Sequence, residues 1–226
     1  MSTRVGVVLF PGSNCELDVI EAVCSLGAEG EILWHGDATT NGVDAVVVPG
    51  GFAHGDYLRP GAIARFSPVM EAVAEHARSG GPVVGICNGF QVLTEAGMLP
   101  GALQKNRGLK FVCSTSRLRV ESTDSVLTSQ LSVGDELVVP INHFEGNFTC
   151  SPETLAELTG DDRVVLRYID NPNGSVDDIA GICSEDRNVV GLMPHPERAT
   201  SELLGSSDGR GLLQSMLVAA GAATVA

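Results

Sequence analysis

The sequence predicts an α/β protein with a mostly parallel sheet flanked by helices and an added antiparallel ribbon. In the first half of the chain, short apolar runs alternate with segments of helical periodicity. This rhythm is typical of parallel strands joined by crossover helices. After Gly108 apolar and polar residues alternate instead, which favours antiparallel strands. We find no linker or low-complexity stretch in the 226 residues, so residues 1–226 are expected to form one domain.

The first half contains four apolar runs of strand length, at residues 5–10, 31–35, 44–48 and 82–86. Helices are expected at residues 14–26, at 62–78 and after the strand that ends at 86. Asn14 is the expected N-cap of the first helix and Gly27 its stop. The second half contains five further strand candidates and a last helix, at 110–121, 136–148, 164–169, 179–183, 189–193 and 211–220.

Composition excludes several classes of function. A formal charge of −14 without any run of basic residues argues against nucleic acid and anionic membranes as partners. No apolar stretch approaches the roughly 20 residues that span a bilayer, and the first apolar run is too short for a signal peptide. We therefore expect a cytoplasmic protein. Its six cysteines form no disulfide scaffold, and no metal-binding motif supports a metal site.

Cys87 stands on a predicted strand-to-helix turn between Gly85 and Gly89. This G-x-C-x-G pattern is the thiol version of a nucleophile elbow, in which a sharp turn exposes the side chain above the carboxyl edge of the sheet. The helix N-terminus favours a thiolate there, and the N–H of Asn88 is placed to donate to an oxyanion. The alternative is that Cys87 only packs in the core. Cys15, near another helix start, is a competing nucleophile but lacks the glycine pair.

His195 is the candidate base, and Glu197 is its candidate partner. Both Met193 and His195 precede a proline, which forces extended backbone, so the side chains of His195 and Glu197 project to the same side. The segment follows a strand of a parallel sheet and emerges at the same edge as Cys87. Alone, His195 would be interpreted as a structural histidine; together with the elbow it indicates a Cys–His–Glu catalytic set. His143 is the second candidate base.

The loop at 49–52 follows a buried strand and carries successive glycines. Such glycines can turn backbone N–H groups towards a neighbouring site and complete an oxyanion hole with Asn88. An ordinary strand-to-helix turn is the alternative.

These motifs carry a family resemblance that covers the whole chain. The PGG at 49–51, the GxCxGxQ at 85–91 and the PHPE at 194–197 resemble those of class I glutamine amidotransferases. The stretches FPGSNC (10–15) and GFxxGDYLR (51–59) are more specific, and resemble the glutaminase subunits of purine biosynthesis. The resemblance implies a flavodoxin-like fold.

The resemblance also implies a mechanism and partners. Cys87 would attack the carboxamide of glutamine, with His195 as base and then acid and with Glu197 orienting it. The backbone of Gly51 or Phe52, together with Asn88, would form the oxyanion hole, and Gln91 would help to hold glutamine. Ammonia would pass to a large ATP-dependent synthetase subunit that amidates formylglycinamide ribonucleotide, with a small bridging subunit. No cofactor is expected in this subunit, since ATP and Mg²⁺ would bind the partner.

One position departs from the family pattern. Family members commonly carry a small residue between the His and Glu of this loop, where Phe144 stands here, so the roles of His143 and Glu145 stay open. Two rival functions remain: a stand-alone cysteine hydrolase or peptidase on the same elbow fold, and a catalytically silent regulatory subunit. Residues 55–59 are a candidate partner contact or a plain surface loop.

Overall fold

A computed structural model describes residues 2–222 of the chain. Within this range the strands are β1 (Arg4–Leu9), β2 (Glu29–Trp34), β3 (Ala45–Val48), β4 (Val83–Ile86), β5 (Ala102–Gln104), β6 (Val112–Val120), β7 (Glu136–His143), β8 (Asn147–Thr149), β9 (Val164–Tyr168), β10 (Ile179–Cys183) and β11 (Val189–Leu192). The α-helices in the same range are α1 (Glu16–Ser25), α2 (Pro68–Arg78), α3 (Asn88–Glu95), α4 (Pro152–Gly160) and α5 (Gly209–Ala219). In the part of the chain so described, no helix is long and apolar enough to cross a membrane.

Nine strands form one sheet in the order β2-β1-β3-β4-β11-β10-β9-β6-β7. Neighbours from β2 to β11 pair in parallel, whereas the pairs from β11 to β7 are antiparallel. The order of the parallel half is that of a flavodoxin-like fold, with β11 as its fifth strand. The predicted α/β class is confirmed. The antiparallel strands extend the main sheet, and β5 and β8 form a separate two-stranded ribbon.

The central parallel strands lie in the core because they are apolar on both faces. Every residue of β3, β4 and β11 is buried, as expected where helices cover both sides of a sheet. By contrast, β7 alternates between buried and more exposed residues, which is typical of a strand with one solvated face. The sheet therefore presents the ends of β3, β4 and β11 together at one edge.

Two helix starts differ from the sequence prediction. The helix expected at 62–78 begins at Pro68, after a separate 3₁₀ turn at Ala64–Phe66, because the residue before a proline is disfavoured in helical conformation. Asn14 does not cap α1: Cys15 occupies the N-cap position, and its thiol instead donates to Asn14 Oδ1. The sequence prediction also missed α4 and β5.

Candidate active site

Cys87 stands at the junction of β4 and α3, at the carboxyl edge of the parallel strands. Its backbone has φ 52° and ψ −105°, a conformation that an L-residue keeps only when the surrounding structure holds it there. The N–H of Cys87 donates to the carbonyl oxygen of Leu192 at 2.8 Å, and the carbonyl of Cys87 accepts from the N–H of Gln91 at 3.2 Å. The sharp turn expected from the sequence is therefore present, fixed by β11 on one side and by α3 on the other.

The two glycines beside Cys87 allow α3 to pack closely against the sheet. A Cβ on Gly85 would lie 2.6 Å from Cδ1 of Leu93, and a Cβ on Gly89 would lie 1.8 Å from the carbonyl oxygen of Val48. No side chain fits at such distances without moving backbone. The G-x-C-x-G pattern is thus required by packing as well as by the turn.

His195 and Glu197 follow β11 and form a buried pair. Nδ1 of His195 lies 2.6 Å from Oε1 of Glu197, and the two residues are 1% and 2% exposed. The N–H of His195 donates to the carbonyl oxygen of Pro140 on β7 at 2.8 Å, which anchors the segment. Burial alone would lower the pKa of His195, but the carboxylate of Glu197 and the nearby thiols of Cys87 and Cys15 raise it well above its usual value. The ring is therefore placed to hold a proton beside Cys87.

The loop after β3 supplies one candidate oxyanion donor. The N–H of Phe52 already donates to the carbonyl oxygen of Gly12 at 2.9 Å, whereas the N–H of Gly51 makes no backbone hydrogen bond among residues 2–222. Asn88 is the first residue of α3, where backbone N–H groups have no partner within the helix. Of the two residues expected to donate a backbone N–H to the oxyanion, Gly51 and Phe52, only Gly51 has that group free within the described residues. The N–H of Asn88 is the second candidate donor.

The side chains of Asn88 and Gln91 connect the walls of the site. Asn88 Oδ1 accepts from the N–H of Ala53 at 3.0 Å, and its Nδ2 donates to Gln91 Oε1 at 2.8 Å and to Asp56 Oδ1 at 3.1 Å. Gln91 Nε2 donates to the carbonyl oxygen of Glu145 at 2.6 Å. The Asn88 side chain is thus committed to structure, and its candidate contact with substrate is the backbone N–H.

A single cavity brings the candidates together. It is lined by residues 14–15, 51–52 and 142–145 and by Asp56, Cys87, Gln91, His195 and Arg198. Two of the predicted residues, Asn88 and Glu197, do not line it, and Glu197 lies behind His195. His143, the second candidate base, lines the cavity too, but burial and the charge of His195 lower the pKa of His143 to about 4. With this pKa, the ring of His143 stays neutral near pH 7 and does not readily take up a proton from a thiol. His195 is therefore favoured as the base.

Cys15 lies in the same cavity, close to His195. Its Sγ is 3.2 Å from Nη2 of Arg198, and Asp18 holds that guanidinium at 2.9 and 3.0 Å. Cys15, His195 and Glu197 place potential metal-ligand atoms within 4.8 Å of one another. Spacing along the sequence could not reveal this set, because Cys15 is remote from the other two residues. The Arg198 charge beside Cys15 opposes a cation there.

Sequence reasoning did not assign Asp56 to the site. Burial raises the pKa of Asp56 to about 6, helped by the charge of Glu145 and opposed by the hydrogen bond from Asn88. The one available signal was an acidic residue in a glycine-rich loop directly after the 49–52 turn. Its place in the cavity depends on the contact with Asn88, which the sequence does not reveal.

Comparisons with known proteins identify the family and several relatives of this chain. Residues 2–210 match the family model described as a CobB/CobQ-like glutamine amidotransferase domain. A relative from Rubrobacter xylanophilus, "Phosphoribosylformylglycinamidine synthase subunit PurQ", is 61% identical and covers 96% of this chain and 99% of its own. The protein of the same name from Cereibacter sphaeroides is 56% identical, with coverage of 95% and 97%.

Solved structures are similar as well. A chain of the PurLQS structure from Thermotoga maritima superposes with a TM-score of 0.89 at 41% identity, covering 96% of this chain and 99% of its own. A protein from Thermoplasma acidophilum described as a GMP synthase component superposes with a TM-score of 0.71 over 98% of this chain and 95% of its own. At 18% identity that second likeness concerns the fold alone. On the family match and the similarity to full-length relatives, the chain belongs to the CobB/CobQ-like glutamine amidotransferase family.

Proposed function

We propose that this chain is the glutaminase subunit of a phosphoribosylformylglycinamidine synthase. In this role it hydrolyses glutamine to glutamate and ammonia, and the ammonia converts formylglycinamide ribonucleotide to formylglycinamidine ribonucleotide in de novo purine biosynthesis. The names of its relatives support the assignment. The observation that carries it is the convergence of Cys87 and His195 in one cavity, with Glu197 bonded to His195 from behind.

The first half of the reaction forms an acyl-enzyme. His195 takes the thiol proton as Sγ of Cys87 attacks the carboxamide carbon of glutamine, and the oxyanion accepts hydrogen bonds from the N–H groups of Gly51 and Asn88. His195 gives its proton to the amide nitrogen, the C–N bond breaks and ammonia leaves. A γ-glutamyl thioester remains on Cys87, while Glu197 keeps the ring of His195 oriented throughout.

The second half regenerates the enzyme. His195, now neutral, removes a proton from water as the water oxygen attacks the thioester carbon. The same two N–H groups stabilise the second oxyanion. Glutamate leaves when the C–S bond breaks, and Cys87 and His195 return to their starting protonation states.

The partners in this proposal are a large ATP-dependent synthetase subunit and a small bridging subunit. The PurLQS name of the Thermotoga maritima structure supports partners of this kind. ATP and Mg²⁺ are placed on the synthetase, and no cofactor on this chain. A cytoplasmic location belongs to the same proposal. Tyr57 and Leu58, which are 73% and 89% exposed beside the cavity residue Asp56, are the candidate contact with the synthetase.

Labelling of the thiols tests the assignment. The chain is treated with a diazoketone analogue of glutamine, and the modified residue is found by peptide mass mapping. We expect labelling of Cys87 that excess glutamine prevents. Because Cys15 lies in the same cavity, the map must separate the peptides of the two cysteines. Label on Cys15 alone, no label, or label unaffected by glutamine would overturn the proposal and favour the hydrolase or silent-subunit alternatives.

A further inference from the structure

His143 lines the cavity, and one nitrogen of its ring is buried without a hydrogen-bond partner in the described part of the chain. His143 is the last residue of β7 and is 3% exposed. Its Nδ1 lies 3.1 Å from Oδ1 of Asn106, and its Nε2 has no hydrogen-bond partner among residues 2–222. Buried polar atoms are nearly always paired, so an orphaned nitrogen in a substrate cavity indicates a ligand atom that pairs with it.

The contacts of Asn106 determine which nitrogen of His143 carries hydrogen. Asn106 Nδ2 donates to the carbonyl oxygens of Lys110 (2.9 Å) and His143 (3.0 Å), and its Oδ1 accepts from the N–H of Gly146 at 3.1 Å. Turning the amide over would set NH₂ against an N–H group and oxygen against two carbonyls. Oδ1 therefore faces the ring, and Nδ1 of His143 must be the donor.

A neutral imidazole with hydrogen on Nδ1 carries a bare lone pair on Nε2. His143 is neutral at physiological pH, because burial and the charge of His195 lower its pKa to about 4. The ring is also held tightly, since a Cβ on Gly146 would lie 2.3 Å from its Cε1. Nε2 is thus a fixed hydrogen-bond acceptor, and its partner must be a donor.

Glutamine has two groups that donate from nitrogen, the carboxamide and the α-ammonium. His143 lies at the reacting end of the cavity for two reasons. The charge of His195 is close enough to lower the pKa of His143, and Sγ of Cys87 lies 3.7 Å from the carbonyl oxygen of Asn142, the residue before His143. Asp56 and Glu145 supply the negative charge that suits an ammonium group. The carboxamide nitrogen is therefore the better partner for Nε2.

We propose that Nε2 of His143 accepts a hydrogen bond from the carboxamide nitrogen of glutamine and turns that nitrogen towards the proton held by His195. In the tetrahedral intermediate this nitrogen carries two hydrogens and a lone pair. One N–H bonds to His143, and the lone pair takes the proton from His195 as the C–N bond breaks. His143 gains and loses no proton. This role rests on the proposed glutaminase function.

Two substrates that differ only in the leaving group test the role. Glutamine leaves ammonia, whereas the γ-methyl ester of glutamate leaves methanol and offers no N–H to His143. The value of kcat/KM reports steps up to acylation for each. We expect His143→Leu to lower kcat/KM for glutamine by roughly 10- to 30-fold more than for the ester, as for a lost buried hydrogen bond. His143→Gln, which keeps an acceptor oxygen, should recover part of the loss.

The rate with the ester shows whether each variant is folded. The matched control is His76→Gln on α2, outside the cavity, which should leave kcat/KM unchanged for both substrates. Equal losses for both substrates would place His143 in a structural role or at the α-ammonium, and unchanged rates would mean no contact; either result overturns the inference. Failure of the proposed function is visible separately, because the unmodified chain would then show neither glutaminase activity nor glutamine-protected labelling of Cys87.

Discussion

Nδ1 of His195 lies 2.6 Å from Oε1 of Glu197 in a buried pair, and the opposite ring nitrogen, Nε2, has no hydrogen-bond partner among residues 2–222. A carboxylate in this position fixes the ring orientation and stabilises the imidazolium. Nε2 of His195 is left to exchange protons with the reacting groups. The geometry makes Glu197 a positioning residue that acts through His195.

Replacing Glu197 with Gln should lower kcat for glutamine hydrolysis by roughly 10²- to 10⁴-fold, because the charge that stabilises protonated His195 is lost. KM for glutamine should change little, since Glu197 lies behind the ring. Steady-state assays with glutamine and with free ammonia in the complete synthase separate the effect from assembly. A variant with full glutamine-dependent activity, or one that also loses ammonia-dependent synthesis, would contradict this role.

The backbone conformation of Cys87 predicts that glycine is more stable than alanine at this position. Its φ of 52° with ψ −105° disfavours any residue with a Cβ. Both Cys87→Ala and Cys87→Gly should be inactive with glutamine, but the glycine variant should be the more stable by about 1 kcal/mol, as relief of strain exceeds the entropy that glycine adds to the unfolded state. Urea denaturation measures the difference. If the alanine variant proves equal or more stable, the turn is not strained.

Packing at Gly89 predicts a large loss of stability from one methyl group. A Cβ there would lie 1.8 Å from the carbonyl oxygen of Val48, so Gly89→Ala should destabilise the fold by about 2 kcal/mol or more, as overpacking does. The matched control is Gly160→Ala at the end of α4, where a Cβ meets nothing within 4 Å. That change should be neutral or stabilising by up to about 1 kcal/mol. Similar melting temperatures for the two variants would refute the packing explanation.

Burial of His143 predicts acid sensitivity. Its folded-state pKa of about 4 lies below the ordinary value of 6.5, so the unfolded chain takes up a proton first as the pH falls. Full stability is therefore present above about pH 6.5 and is lost as the pH falls towards about 4. Between about pH 7 and about pH 5, the native chain should lose on the order of 2 kcal/mol more than His143→Gln. Parallel losses in both proteins, measured by urea denaturation, would show that His143 does not cause the sensitivity.

The exposed pair Tyr57 and Leu58 predicts a defect in assembly without a defect in folding. Replacing both with Ser should weaken association with the synthetase subunit, because tyrosine is among the residues that contribute most to binding energy at interfaces and burial of Leu58 adds apolar area. Val133, which is also exposed and lies on the turn before β7, offers a matched control. Isothermal titration against the synthetase subunit measures the change. Unaltered affinity of the double variant would make residues 55–59 a plain surface loop.

The central parallel strands were predictable because a strand that is buried on both faces appears in the sequence as a continuous apolar run. Cys87 and His195 could be placed at one edge for the same reason, since each directly follows such a run. Cys15 could not be placed beside them, because its loop is held by backbone bonds from Asn14 and Cys15 to the carbonyl oxygen of Gly50. The role of Asn106 could not be predicted for the same reason: three of its four side-chain contacts are with His143 and Gly146, which are remote from it in the sequence. Contacts of this kind leave no periodic pattern in a sequence.

The pairing of β4 with β11 links the packing of the core to the geometry of the catalytic site. The two strands pair in register from Val83 with Val189 to Ile86 with Leu192. This register fixes the points at which Cys87 and the segment of His195 leave the sheet relative to each other. A slip of one residue would turn the side chains of β11 to the opposite face. Such a slip would also put a side chain at the place of Gly191, where a Cβ would lie 2.1 Å from Cδ2 of Phe90. The close packing of α3 against the sheet therefore selects the same register that brings the two catalytic segments together.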